Sequence, residues 1–304
     1  MAIDRPYHEG EISVQERAGL RDVALLNAKG IQPRIIPAAH PFLTGLRYFV
    51  LGRADADQAC EATVLFGDAG FLSAQAEGSV LSVRCSSNED RSSDPVLGPL
   101  REGDRVGGLA IDLASRRRLR INGVVESVTA EEVRITVRES YANCPKYIQK
   151  RIVEDVDGDV HVERSGPHAN GIELTDEQRA RIRRADTFFI VTVNPSGYAD
   201  ASHRGGSPGF VRIEDDGTIV VEDYAGNGMF NTLGNLASNP RAALVFWDFE
   251  KSRERLLHLA GRATLHFDDS GRRFRFQTEH WTDRTVAIPF RTRLLEYSRF
   301  NPEL

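Results

Sequence analysis

The sequence predicts a mainly β fold with flanking helices, built as two small antiparallel barrels in tandem. Three observations carry this. Short runs rich in Val, Ile, Leu and Phe, bounded by Gly, Asp or Pro, recur over 47–137 and again over 187–267. The two series superimpose: Ala62, Gly67, Gly70 and Phe71 match Ala201, Gly206, Gly209 and Phe210 at identical spacing, and Leu119, Ile121 and Gly123 match Leu257, Leu259 and Gly261. A chain of 304 residues is also long enough for one domain built twice.

In chain order, the first element is a helix over 13–29. Val14, Ala18, Leu25 and Leu26 roughly keep helical spacing, Ser13 with Glu16 resembles a capping box, and Gly30 is a stop. Pro33, Pro37 and Pro41 punctuate an irregular connection. Strands are expected at 47–52, 61–66, 70–73, 79–84, 105–112, 117–125 and 133–137, which together suit a barrel. Arg116, Arg117, Arg118 and Arg120 resemble a nucleic-acid patch, but they overlap the strand whose Leu119 and Ile121 share one face. A solvated strand face is the simpler expectation. Asn143 is placed to cap a helix opening at Cys144 and Pro145, where the dipole would acidify a thiol. No partner base is near, so a structural thiol is preferred.

Residues 154–170 read as a linker, acidic and then bearing Gly, Pro and His. Asp155, Asp157 and Asp159 alternate as in a calcium loop, but Gly158 is misplaced for its sharp turn and no metal site is expected. A helix over 174–184 has Thr175 as cap with Gln178 three residues on. Strands follow at 187–193, 199–203, 210–213, 218–222, 242–249 and 255–267, interrupted by a helix over 229–238 that ends at Asn239 and Pro240. The expected organisation is an N-terminal helical segment (1–40), a first barrel (41–153), a linker (154–174), and a second barrel with its tail (175–304).

Composition narrows the partners. The net charge of −5 gives no footprint for nucleic acid or an anionic membrane. Three widely spaced cysteines indicate neither a disulfide framework nor a zinc knuckle. With no apolar signal core or spanning run in view, a cytoplasmic protein is expected.

The stretch 201–240 carries the chemistry. Two Gly-rich loops, one beside Arg204 and one opening the 229–238 helix, offer free backbone N–H groups that suit an anion such as a phosphate. The halves differ here: where the second has His203, Arg204 and Ser207, the first has Val64, Leu65 and Asp68. Only the second half is equipped for an anionic ligand, with the first as its packing partner.

These residues are also where a family becomes visible. Phe188–Val193, the run from Asp200 to Val211, the Gly226-Asn227 helix start and Asn239-Pro240-Arg241 before an apolar strand resemble the pyridoxamine-5′-phosphate-oxidase-like FMN-binding split-barrel family. The segments at His8–Gln15, Asn143–Gln149 and Ser298–Pro302 are similar to those of its larger tandem members. The resemblance implies two split β-barrels forming a pseudo-dimer, with FMN held noncovalently between them and acting as an oxidoreductase cofactor on a small-molecule substrate. Electrons would come from a nicotinamide or another donor. FAD, a deazaflavin or haem are the alternative cofactors, and a non-catalytic flavin or haem carrier is the alternative function; haem would need an axial ligand such as His203, His258 or His280. Homodimers are usual in the family, although the duplication could satisfy that need internally.

Carried over residue by residue, the resemblance puts Arg204, with Gly205 and Ser207, at the flavin phosphate, and Asn227, Phe230, Asn231 and Thr232 on the turn that completes its cradle. The oxidase proper has an Arg-Lys pair where this chain has Asn231 and Thr232, so charge-assisted bonds are lost there. No second cation cluster for a pyridoxamine phosphate is evident. Asn227 and Asn235 are either flavin contacts or turn and cap residues. Trp247 either stacks beside the flavin ring or belongs to the core. Tyr147 and Gln149 reach the ligand only if the halves pack as a pseudo-dimer, and His203 should face away from Arg204 as a structural histidine.

Overall fold

A computed structural model describes residues 6–85, 91–155, 169–249, 255–268, 271–286 and 288–303. Asp157 and Asp159, with most of the expected linker, lie outside the described residues. The N-terminal elements are α1 (Glu9–Arg17), α2 (Arg21–Ala28) and α3 (His40–Thr44). The first β series is β1 (Tyr48–Ala54), β2 (Cys60–Phe66), β3 (Leu72–Gln75), β4 (Val80–Arg84), β5 (Arg105–Asp112), β6 (Arg117–Val128) and β7 (Glu132–Ala142). Then come β8 (Lys150–Asp155), β9 (Ala169–Gly171) and α4 (Asp176–Arg184). The second series is β10 (Thr187–Val193), β11 (Ala199–Gly205), β12 (Val211–Ile213), β13 (Ile219–Glu222), α5 (Asn231–Ser238), β14 (Arg241–Trp247), β15 (Arg255–Asp268) and β16 (Gly271–Thr285), closed by β17 (Phe290–Glu296).

The duplication is visible in the topology. One sheet runs β2-β1-β5-β6-β7-β4-β3 and the other β11-β10-β14-β15-β16-β13-β12, the same order with each strand replaced by its counterpart. Both carry a register shift at the matched position, Asn122/Gly123 in one and Ala260/Gly261 in the other. A Cβ on Gly67 would lie 2.6 Å from the Phe71 ring, and one on Gly206 would lie 2.6 Å from Phe210, so each corner admits only glycine for the same steric reason.

Three apolar cores result. One fills the first barrel around Phe49, Leu51 and Ile135, and another fills the second around Phe188, Leu244 and Phe276. The third lies between them, where Val50, Val64 and Leu109 meet Val191, Ala201 and Val245. Close approach across that seam requires Gly52, since a Cβ there would sit 2.3 Å from Val191. The two halves therefore pack as a pseudo-dimer, and β8 pairs with β17 to tie their ends together.

Several expected elements are corrected. The N-terminal helix is two helices, broken at Gly19 (φ +67°), and its cap is His8 in a capping box with Glu11 rather than Ser13. α1 crosses α5 so closely that a Cβ on Gly234 would meet Glu11 Cα at 2.5 Å. No helix forms after Asn143. Tyr147 takes a left-handed conformation (φ +64°), and the Arg118 side chain holds the Cys144 carbonyl that a helix would have used. The strands β8, β16 and β17 were not expected, although Phe274 and Phe276 alternate with arginines as a half-buried strand should. Thr175 and Gln178 do form the capping box of α4. Among the described residues, no helix is long and apolar enough to cross a membrane.

Candidate functional site

A cavity of about 110 Å³ opens where β6 of the first half faces β11 and the start of α5 in the second. Each strand alternates its side chains, so Arg118 and Arg120 leave β6 on one face while Leu119 and Ile121 enter the barrel core. The expectation of a solvated arginine face is thereby corrected. The second half covers the face that isolated strand logic leaves to water, and only Arg117 of the strand's arginines is exposed.

Arg120 is the organising side chain. Its Nε lies 3.0 Å from Asp200 Oδ1 and donates to Ala201 O at 3.1 Å, and its Nη1 donates to Asn231 Oδ1 at 2.9 Å and to the Tyr141 hydroxyl at 3.1 Å. It also bonds Ser202 Oγ, to which Thr232 Oγ1 donates at 3.0 Å. Burial opposes its charge, but Asp200 and Tyr141 more than offset this and hold the guanidinium above its ordinary range.

Arg118 is different. It donates to Cys144 O at 2.8 Å and contacts His203 Nδ1 at 3.3 Å, and among the described residues it has no carboxylate partner. Burial, then repulsion from Arg120, pushes it down to about 9. Arg204 lies 3.9 Å from Asp223, which Arg272 also engages at 3.1 Å. Burial lowers Arg204 despite Asp223, and holds His203 well below the usual imidazole range. Four cationic side chains (Arg118, Arg120, Lys146, Arg204) line the cavity against two carboxylates (Glu222, Asp223), and Glu222 is already paired with Arg212.

Three buried polar atoms on the cavity's lining residues have no partner: Arg204 Nε, His203 Nε2 and Asn143 Oδ1. The N-terminus of α5 adds further free donors, because its N-cap Phe230 (φ +59°) makes no side-chain cap. Surplus positive charge, orphaned donors and an uncapped helix start together accept an anion.

Of the residues grouped from the sequence, Arg204, Gly205, Asn227, Phe230, Asn231, Thr232 and Tyr147 line this cavity. Tyr147 reaches across from the first half and donates to Ala225 O at 3.0 Å, its ring 5.1 Å from that of Tyr224. Four residues lie elsewhere and are corrected. Trp247 is in the core between the halves, against Tyr48, Phe66 and Phe249. Gln149 is fully buried and fastens the C-terminal tail, bonding Gly206 O, Ser298 N and Asn301. Ser207 Oγ accepts from Asn301, and Asn235, a turn further along α5, bonds Thr192 and His8. His203 shares the face of β11 that packs with Phe189 toward the seam between the halves, opposite Arg204, and lines the cavity where its imidazole contacts Arg118. Arg118, Arg120 and Lys146 were missed. The period-two spacing of 118 and 120 was readable, but which surface would cover them was not.

The matched position in the first half is sealed. His258, the counterpart of Arg120, places Nδ1 2.7 Å from Ala62 O, just as Arg120 meets Ala201 O. Thr63, counterpart of Ser202, donates to Asp94 at 2.6 Å, and Asp94 is ion-paired with fully buried Arg284. The chain's own residues fill what is open in the second half.

Asn231 also donates to Glu11 at 2.6 Å, linking the cavity to α1. Burial raises the Glu11 carboxyl to about 8, with Asp200 and Glu139 adding repulsion. The folded chain keeps this proton across a window, from about 4.5 to about 8, in which the unfolded chain has released it. The group's contribution to stability therefore falls as pH rises through that window, by up to a few kcal/mol. Glu11→Gln should become more stable relative to the parent between pH 5 and pH 8, read as the difference in Tm. A difference independent of pH would contradict the assignment.

Residues 174–297 match the family model described as pyridoxamine 5′-phosphate oxidase. Similar solved structures include HutZ, the heme storage protein of Vibrio cholerae (15% identity, 36% of this chain and 92% of that one, TM-score 0.27). Others are the FAD-binding protein of Mycobacterium smegmatis (11%, 39% and 98%, 0.28) and an FAD-binding protein of Mesorhizobium loti (10%, 39% and 99%, 0.29). No curated protein matches the chain.

Proposed function

We propose, from the premise that residues 174–297 form a unit of the pyridoxamine 5′-phosphate oxidase family, that the chain is an FMN-dependent oxidoreductase. The observation that carries this is the cation-rich cavity with its orphaned donors, Arg204 Nε and His203 Nε2, at the mouth of an uncapped helix. Bound FMN would supply hydride and single-electron transfer, so no side chain is needed as a nucleophile.

The protein's own residues would do the rest. Arg118 and Arg204 would hold the phosphate with the first N–H groups of α5. Arg120, tied to Asp200, Ser202 and Asn231, would position Asn231 and Thr232 and not itself change partner. The charge that the oxidase draws from an Arg-Lys pair at the helix start would here come from β6 of the other half. Tyr147, pinned to Ala225, would screen the site from water.

Purified chain should show a two-band flavin spectrum, or acquire one on incubation with FMN, at one flavin per chain because the first half's counterpart is sealed. A colourless protein that cannot be loaded would sink the reading, and two flavins per chain would refute the sealed site. Reduction of the loaded protein by NADH or NADPH, followed by reoxidation, separates an enzyme from a carrier. A haem carrier is the second reading; it would need His203 to give up its contact with Arg118 so that a deprotonated Nε2 could serve as axial ligand. His258 is committed to Ala62 O, and His280 sits outside the cavity 3.7 Å from Glu61. A Soret band lost in His203→Ala would support it.

A further inference from the structure

Beside the anion cavity lies a larger one of about 660 Å³, and Asn231 lines both. Its chemistry is the reverse. Glu11, Glu139 and Asp200 line it, brought together from α1, β7 and β11. Asp200 is neutralised by Arg120, but Glu11 and Glu139 have no Lys or Arg within ion-pair distance among the described residues. The His8 imidazole, 3.6 Å from Glu11, is held below its ordinary range by burial and supplies no charge. Among the described residues, the one Lys or Arg lining this cavity is Arg138, and its side chain is exposed.

A second, independent feature is Asn122. It is 93% buried by its 7% exposure, it lines the cavity, and its Oδ1 has no partner. Its Nδ2 lies 3.4 Å from both Glu139 and Asp200, which orients the amide so that the oxygen is left as an acceptor. A buried carbonyl oxygen without a donor is destabilising, so a ligand that supplies the donor relieves that penalty. Tyr7 and Tyr141 give the same cavity aromatic walls. Burial raises Glu139, with repulsion from Asp200 adding to it, and burial raises Asp200 against the pull of Arg120.

We infer that this second cavity binds a small organic cation, an ammonium or guanidinium group that donates to Glu139 and to Asn122 Oδ1. The assignment goes beyond the flavin reading and does not depend on which anion occupies the neighbouring cavity. Two adjoining cavities of opposite charge would let the chain hold an anionic group and a cationic one on either side of Asn231.

The test uses the full chain and two probes, benzylamine and agmatine, with benzyl alcohol and benzoate as neutral and anionic comparators. Binding is read by calorimetry and by ligand-observed NMR at pH 7. At least one cation should bind at one per chain, at least tenfold more tightly than either comparator. Glu139→Gln and Asn122→Leu should each weaken it roughly tenfold while leaving inorganic phosphate binding at the Arg118 cavity unchanged. Should Asn122→Leu fail to fold, Glu139→Gln alone decides. Absence of a preference for cations, indifference to Glu139→Gln, or displacement of the amine by FMN would each overturn the proposal. Because phosphate is measured on the same samples, failure of the anion site is seen separately.

Discussion

Arg118→Ala is expected to weaken FMN binding by roughly 10- to 100-fold and to leave riboflavin binding nearly unchanged, because a hydrogen bond to a charged group contributes about 1.5–3 kcal/mol. Arg118 is the sharper choice because, among the described residues, it has no carboxylate to satisfy it. Arg120 is spent on Asp200, and Arg204 is shared with Asp223. The same imbalance predicts a second readout. Burial and Arg120 already push the Arg118 guanidinium down to about 9, so removing it from the ligand-free chain should not lower Tm and should raise it slightly. Arg204→Ala should act in the same direction with a smaller discrimination between FMN and riboflavin. Equal loss of FMN and riboflavin in Arg118→Ala, at unchanged Tm, would remove the phosphate from this cavity.

Arg284→Met is expected to cost about 3–5 kcal/mol of stability, because it leaves the buried Asp94 carboxylate without its cation. Both side chains are 1% exposed, and Asp94 also accepts from Val96 and Leu97 N–H at 2.9 Å and from Thr63. For a chain of this size the loss corresponds to roughly 5–8 °C in Tm. Adding Asp94→Asn should recover part of it, since the uncompensated charge is then gone, and this non-additivity marks a coupled pair. A loss below about 1 kcal/mol, measured by denaturant unfolding, would mean that the sealed position is not held by this ion pair. A variant that unseals it and gains a second flavin would show that the first half once had the same kind of pocket.

The two series of strands, their matched glycines and the α4 capping box were legible because each rests on local rules: alternation over a few residues, a corner that only Gly fits, a side chain bonding its own helix start. The register shifts at Asn122/Gly123 and Ala260/Gly261 fall where the matched motifs put them. Six of the seven grouped residues that line the cavity come from the turn before α5 and the corner at the end of β11, both local signals, whereas Tyr147 joins them only through the packing of the halves. By contrast, Trp247 was grouped with the site on residue type and Gln149 on the expected packing of the halves, and the neighbours of both are distant in sequence.

What sequence alone determined is the tandem β architecture, the likeness between its halves and the anion-seeking character of 201–240. What only the tertiary structure decided is which partner covers each exposed strand face. Side-chain alternation puts Arg118 and Arg120 on one side of β6 whatever lies beyond, and the packing of the second half turns that side into the wall of a cavity. Burial against a segment some eighty residues away in the chain depends on the sum of long-range contacts, and no local pattern records it.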